Sequence, residues 1–184
     1  MNDAANEKPF SHLPPISLRP TTLDDAPAVA ACVDAVARER CYLKTTHGFT
    51  AEETRSFLAS LAEAGGVQML AHAAELVVGW CDVTPLPFEG MRHVGQLGMG
   101  LLPDCRGQGL GRRLLRKTLG RAFSARLLRV ELEVFASNVA AIRLYEQEGF
   151  VTEGRKRRAR IVDGAEEDIV LMGLLREQGP GTVR

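Results

Sequence analysis

Between Cys105 and Arg113 the chain reads C-R-G-Q-G-L-G-R-R. A strand-like run, R-H-V-G-Q-L-G-M-G-L-L, precedes it. An amphipathic run, G-R-R-L-L-R-K-T-L-G-R-A-F, follows, with Leu114, Leu115, Leu119 and Phe123 on its inner side. A strand that feeds a helix through so short a glycine turn predicts an α/β domain with helices laid on a sheet. Gly107, Gly109 and Gly111 let backbone N–H groups turn inward without a Cβ in the way. The helix adds its unpartnered first donors and the positive end of its dipole, so the turn can cradle a pyrophosphate. Arg106 and Arg112 can add charge-assisted bonds. An empty tight turn would use the same glycines. Two familiar phosphate loops are excluded. Arg112 and Arg113 stand where a nucleoside triphosphate loop needs Lys and Ser/Thr, and Arg112 occupies the third glycine of a dinucleotide fingerprint.

Around this unit the chain alternates strand and helix signals. I-S-L-R-P from Ile16 starts a strand. The next helix is capped by Thr22 or Asp24 and carries Pro27 in its first turn. A second helix opens on Thr50 and Glu53, spaced as a capping box, and stops at Gly65-Gly66. V-Q-M-L-A-H-A-A-E-L-V-V-G-W-C-D-V reads as a hairpin turning near Ala74, and T-P-L-P-F-E-G-M as a loop. Gly95, Gly98 and Gly100 interrupt the strand before the glycine loop, which marks a bulge or a place where something approaches the backbone. L-L-R-V-E-L-E-V-F is a strand, N-V-A-A-I-R-L-Y-E-Q-E-G a helix, and the last segment a hairpin turning at Asp163-Gly164. The order β-α-α-β-β-β-α-β-α-β-β predicts one α/β domain with a mixed sheet over residues 16–176, between tails at 1–15 and 177–184.

The formal net charge of zero argues against a nucleic-acid binder. Yet eight basic residues and no acid lie between Asp104 and Glu131, which suits a small polyanionic ligand. Cys32, Cys41, Cys81 and Cys105 lack metal-site spacing and read as reduced thiols of a cytoplasmic protein. Cys105 beside the loop reads as a bystander. No metal constellation is visible. No apolar run approaches the roughly 20 residues of a membrane span, and the N-terminal residues form no secretory signal.

R-G-Q-G-L-G followed by L-E-V-F-A-S-N-V-A-A-I-R-L-Y-E-Q-E-G-F resembles the GCN5-related N-acetyltransferases (GNAT family). Arg106, Gly109 and Gly111 match that family's [QR]-x-x-G-x-[GA] pyrophosphate motif. Asn138, Ala141, Leu144, Tyr145, Gly149 and Phe150 match the N-x-x-A-x-x-L-Y-x-x-x-G-F pattern of bacterial ribosomal-protein alanine acetyltransferases. The final hairpin from Gly154 is more similar to members that act on free amino acids or other small amines. The resemblance is strong from His93 to Leu174 and weaker over Ile16 to Val83. It implies acetyl-CoA as co-substrate, without a metal, and a mixed, mostly antiparallel sheet splayed around it. The pyrophosphate would lie on Arg106, Gly107, Gln108, Gly109, Leu110, Gly111 and Arg112. The pantetheine would pair with the strand near Met99 and Leu101, and Asn138 would contact the thiol end. Tyr145 would protonate the departing thiolate, an uphill but modest transfer from a phenol near ~10 to a thiol near ~8.5.

An amine acceptor near pKa ~10 is almost wholly protonated at neutral pH, so a base is needed. Glu131 and Glu133 lie two apart on one strand and share a face. By the resemblance, Glu133 falls on the catalytic glutamate; either acid could instead pair with an arginine such as Arg143 or Arg158. His93 is an outside candidate, and His47 and His72 read as loop or turn residues. The acceptor would be read by Arg38, Glu39, Arg40, Tyr42 and Phe49, and by the basic run Arg155, Lys156, Arg157, Arg158 and Arg160. That charge suits an anionic or carboxylated amine. The function expected is acetyl transfer to a primary amine of a small molecule, an amino acid included, by direct attack in a ternary complex. A protein N-terminus is the alternative acceptor, and a non-catalytic acyl-CoA-binding module the alternative of another class. No nucleic-acid or membrane partner is expected, and a homodimer is compatible with the resemblance.

Overall fold

The computed structural model describes residues 14–176. The N-terminal tail up to residue 13 and the C-terminal tail from 177 lie outside them. Strands β1 (Ile16–Pro20), β2 (Val67–Ala73), β3 (Leu76–Pro85), β4 (Val94–Leu101), β5 (Arg129–Phe135), β6 (Val151–Val162) and β7 (Ala165–Leu175) form one sheet in the order β1-β2-β3-β4-β5-β7-β6. Every neighbouring pair is antiparallel except β4 and β5. Helices α1 (Ala26–Arg38), α2 (Ala51–Glu63), α3 (Leu110–Ser124) and α4 (Val139–Gln147) complete the predicted element order.

Local chemistry sets the boundaries. Thr22 and Asp25 box a 3-10 turn that leads into α1, with Pro27 in its first turn, where no N–H is needed. Thr50 caps α2: its Oγ1 accepts from the Glu53 N–H at 3.1 Å, and Glu53 accepts from the Thr50 N–H at 2.8 Å. Asp163 and Gly164, with φ of 52° and 78°, give the β6–β7 hairpin the primed turn their sequence favours. His72 is not in a turn. It lies on β2, where the pairing with β1 brings Ser17 Oγ to 2.9 Å from its Nε2.

The sheet carries a layer on each face. On one, Val29, Cys32 and Val36 of α1 pack on Leu70, Val77 and Trp80. On the other, Leu114, Leu115 and Leu119 of α3 and Tyr145 of α4 pack on Cys81, Val83, Leu97, Val130, Leu132 and Val134. Strand alternation therefore sends Asp82, Gly98, Gly100, Glu131 and Glu133 to the α1 face. Two of the β4 glycines are not open to a ligand. A Cβ at Gly100 would lie 2.3 Å from the Trp80 ring, and one at Gly95 would lie 2.4 Å from Val83. Both make room for a neighbour across the sheet.

Candidate active site

The parallel β4/β5 pair lasts only three residues. Val94, Gly95 and Gln96 pair with Arg129, Val130 and Glu131, and beyond them the strands part while β4 continues to Leu101 and β5 to Phe135. The Leu102 N–H donates to the Val78 carbonyl on β3 at 2.9 Å. Alternation then turns the backbone groups of Leu101 and Met99 the other way, into the gap. Apart from the Leu101 carbonyl, which Arg106 holds, these are strand groups without a strand partner, of the kind an extended amide chain can join.

The glycine loop follows the open end of β4. Gly107 and Gly109 have φ of 73° and 78°, a region that side chains disfavour, and nothing lies within 4 Å of a Cβ built on either. Gly109 is the N-cap of α3 and supplies no capping side chain, and the first turn holds no acid. The first helical bond is donated by the Arg113 N–H to the Gly109 carbonyl at 3.1 Å, which leaves the amides of Leu110, Gly111 and Arg112 without intrahelical partners. Gly107, Gln108 and Gly109 are exposed, while the Leu110 side chain is buried in the core, so Leu110 can offer only its amide. This cradle fits a pyrophosphate through backbone donors and the helix dipole.

The guanidinium groups that sequence assigns to the phosphates are engaged elsewhere. Arg106 donates to the Glu39 carboxylate at 2.7 and 2.5 Å and to the Leu101 carbonyl at 2.9 and 2.7 Å, and stacks 4.4 Å from the Tyr42 ring centroid. Arg112 bonds Gln147 and lies 3.1 Å from Glu148, which also takes Arg116 at 2.7 Å. Arg106 therefore ties the end of α1 to the loop, and Arg112 ties α3 to α4. The aromatic–acidic pair of Tyr42 and Glu39, a candidate ammonium holder, is filled by this arginine.

Asn138 caps α4, its Oδ1 accepting from the Ala141 N–H at 3.2 Å. The Tyr145 ring packs against Phe150 at a centroid distance of 5.6 Å and is 6% exposed. Burial, reinforced by the nearby Cys81, pushes the phenol well above its ordinary range. Tyr145 thus keeps its proton at neutral pH, but giving it up costs more than an unperturbed phenol would. Cys105 is buried in the same core with its thiol pushed up by desolvation, which fits the bystander reading.

Glu133 lies on the α1 face of β5 with two partners, Lys156 Nζ at 2.5 Å and Lys44 Nζ at 2.6 Å. Arg143 and Arg158 are not among them. Burial alone would raise its carboxyl, but the two lysines outweigh that and hold it below the usual glutamate range. Glu131 pairs with Arg129 at 3.2 Å. His93 is an exposed turn residue just before β4. Arg40 reaches Asp163 at the hairpin tip at 2.6 Å, and Arg160 donates to the Arg40 carbonyl at 2.8 Å while stacking on Phe135. These bonds, with Lys44–Glu133–Lys156, draw the α1–α2 loop and the β6–β7 hairpin together beside the gap.

Asp82 escapes a motif-based reading. It is 9% exposed on β3, paired across the strands with Gln68 on one side and Gly98 on the other. Burial pushes its carboxyl up to about 7, against a smaller lowering by a hydrogen bond from Gln68. The available signal was one acid inside the apolar run Val77–Val83. Among the described residues no cluster of His, Cys, Asp and Glu suited to a metal ion is found, and no helix is long and apolar enough to cross a membrane.

Residues 29–150 match the model of the acetyltransferase (GNAT) family. An uncharacterized protein of Mycobacterium leprae (strain TN) is 30% identical over 155 residues, which cover 80% of this chain and 41% of that protein. The chain thus spans less than half of that relative. The N-alpha-acetyltransferase RimI of Mycobacterium tuberculosis is 31% identical over 152 residues, 79% of this chain and 92% of RimI. A phosphinothricin acetyltransferase from Sinorhizobium meliloti, solved in complex with acetyl-CoA, superposes with a TM-score of 0.84 over 91% of this chain and 92% of its own, at 17% identity. That last likeness concerns the fold alone. The family match covers well over half of the chain, joins the strand gap to the glycine loop and to Tyr145, and agrees with the observed topology: the chain belongs to the GNAT acetyltransferase family.

Proposed function

We propose that this chain transfers an acetyl group from acetyl-CoA to a primary amine of a small molecule, an amino acid included. The observation that carries the reading is the β4/β5 gap, which continues into unpartnered amides at the start of α3. Acetyl-CoA would bring a thioester carbonyl and a thiol leaving group. The amides of Gly107 through Arg112 would hold its pyrophosphate, and Met99 and Leu101 would pair with the pantetheine amides. Leu101 would do so through its N–H, since Arg106 already holds its carbonyl. Arg106 and Arg112 act here as struts that fix the loop, not as phosphate ligands. The Asn138 side-chain amide N–H would face the thiol end while its Oδ1 caps α4. Tyr145 would return a proton to the leaving sulfur. Holding amine and thioester together supplies much of the rate in a direct transfer.

A small acceptor is favoured because the α1–α2 loop and the β6–β7 hairpin are bridged by Arg40–Asp163 and by Lys44–Glu133–Lys156. Two lysines on one glutamate leave a net positive charge, which suits an amine that also carries a carboxylate. A protein N-terminus is the second reading, favoured by the relation to RimI over 92% of that enzyme's length. Thiol release from acetyl-CoA across amino acids, other amines and N-terminal peptides separates the two. The Tyr145→Phe variant should lose at least tenfold in kcat with little change in acetyl-CoA affinity. If the protein binds acetyl-CoA and no acceptor releases thiol, it is an acyl-CoA-binding module instead.

A further inference from the structure

We propose that Asp82, paired across the strands with Gln68 on the α1 face at the head of the β4/β5 gap, is the group that accepts the proton of the acceptor ammonium. The inference rests on the acetyltransfer reading above and names a residue for it. Its position follows from register. Asp82 pairs with Gly98, and Gly98 lies two residues past Gln96, the last β4 residue paired with β5. A Cβ built on Gly98 would stand 3.4 Å from both carboxylate oxygens. The carboxylate therefore leans over a bare stretch of β4, one strand spacing of about 4.8 Å from the gap. A Cβ there would sit in ordinary van der Waals contact with both oxygens, and a longer side chain would fill the space between them.

The setting is built rather than incidental. Thr21 donates through Oγ1 to Gln68 Oε1 at 2.9 Å, and its N–H donates to the Gln68 carbonyl at 3.1 Å. That fixes the Gln68 side chain, whose strand partner is Asp82. Across the strands Asp82 faces Gln68 of β2 and Gly98 of β4. Among the described residues no lysine, arginine or histidine pairs with it, and Glu131 further along that face is turned to Arg129. A buried carboxylate without a cation is costly, and such groups gather where proton transfer is done. Its raised pKa, about 7, matches a base that works at neutral pH. Glu133 on the same face already holds two ammonium groups, so it is poorly suited to take a proton from a third.

The proton balance closes. Asp82 takes one proton from the ammonium, directly or through one water, which frees the nitrogen lone pair. The C–N bond forms at the acetyl carbon as the C–S bond breaks and its electron pair leaves on sulfur. The second proton lost by nitrogen offsets the one that Tyr145 gives to the thiolate. Asp82 then returns its proton to solvent.

The test is Asp82→Asn beside Glu133→Gln, assayed from pH 5.5 to 10 with an acceptor that the wild type uses. Asp82→Asn should lower kcat/KM about 100-fold at pH 7. It should lose the acid limb centred near pH 7 and recover as the pH nears the amine's own pKa, while acetyl-CoA affinity stays within about twofold. Glu133→Gln should keep that limb. Asp82→Asn should melt no lower than the wild type, because it removes a buried charge, so lost activity will not be lost fold. Carboxyl NMR of the wild type, which needs no turnover, should place the Asp82 titration near 7. An unchanged acid limb in Asp82→Asn, an equal loss at every pH, or an Asp82 that titrates below 5 overturns the proposal while acetyl transfer stands. A wild type that binds acetyl-CoA and acetylates nothing overturns both.

Discussion

Two glycines at the ends of one short stretch should respond to the same substitution with opposite sign. Gly109 is the α3 N-cap at φ 78°, and Gly120 is an exposed residue within α3. Neither has an atom within 4 Å of a Cβ built on it, so alanine brings no clash and only the backbone decides. At Gly109 an L-residue in the left-handed region costs about 1–2 kcal/mol. The stiffer unfolded chain returns about 0.4–1 kcal/mol of that, which leaves a loss near ~1 kcal/mol. At Gly120 the helical conformation is already in place, and alanine gains about 0.8–1 kcal/mol. For a domain of this size each kcal/mol moves the melting temperature by about 2–4 °C. Gly109→Ala should therefore melt about 2–4 °C below the wild type and Gly120→Ala about 2–4 °C above it, by calorimetry at one scan rate. Gly109→Asn should fall between Gly109→Ala and the wild type, because asparagine tolerates this region better. Acetyl-CoA affinity, read by titration calorimetry, should drop for Gly109→Ala and stay level for Gly120→Ala. A Gly109→Ala protein that melts at or above the wild type, or shifts of the same sign at both sites, would refute the claim that the loop conformation and not its contacts requires glycine.

Thr50→Ala removes the side-chain half of the α2 capping box, leaving the Glu53 bond to the backbone N–H, and should lower the melting temperature by about 2–4 °C, for a loss near ~1 kcal/mol. Asp25→Asn should cost about 1 kcal/mol at pH 7, a modest figure because the Arg19 side chain is 40% exposed. The Arg19 hydrogen bonds, opposed by burial and helped by Thr22, hold the Asp25 carboxyl far below its ordinary range. A lowered pKa contributes stability that is fully present above the unfolded value near ~4 and fades as the pH falls below it. Denaturant melts of wild type and Asp25→Asn should thus begin to converge below about pH 4 and meet only as the pH falls through the much lower folded value.

What could be read from sequence here was what neighbours in the chain decide. Thr50 and Glu53 are three residues apart, Asp163 and Gly164 are adjacent, and the strand–glycine–helix order lies within one short segment. Each follows from local backbone chemistry. What could not be read depends on partners brought from far away. Glu39 reaches Arg106 across 67 positions and Gln147 reaches Arg112 across 35. Only the assembled sheet sets those distances, so a motif assigns the arginines to phosphate by default. The β4 glycines fail for the same reason. Gly95 and Gly100 are occupied by Val83 and Trp80, a fact of β3/β4 register that no spacing within β4 contains.

The same logic separates Glu133 from Asp82 on the α1 face. Position along the chain recommends Glu133, which lies on the strand that borders the gap. Environment favours the proposed Asp82. Two ammonium groups stabilise the charged form of Glu133, and each makes it a weaker proton acceptor. Asp82 has the opposite setting, a neutral amide on one side and a glycine on the other, so its charged form is the costly one. A base near neutrality needs the second kind of site, and an electrostatic grip on an acceptor's own charge needs the first. If both act, Glu133 does so by holding Lys44 and Lys156 at the mouth, where a carboxylated amine would meet them. Loss of Glu133 should then show chiefly in KM for the acceptor, and loss of Asp82 in the pH dependence of the rate. A site divided in this way would take up an amine as its ammonium, orient it by its anionic end, and release it for attack as the free base.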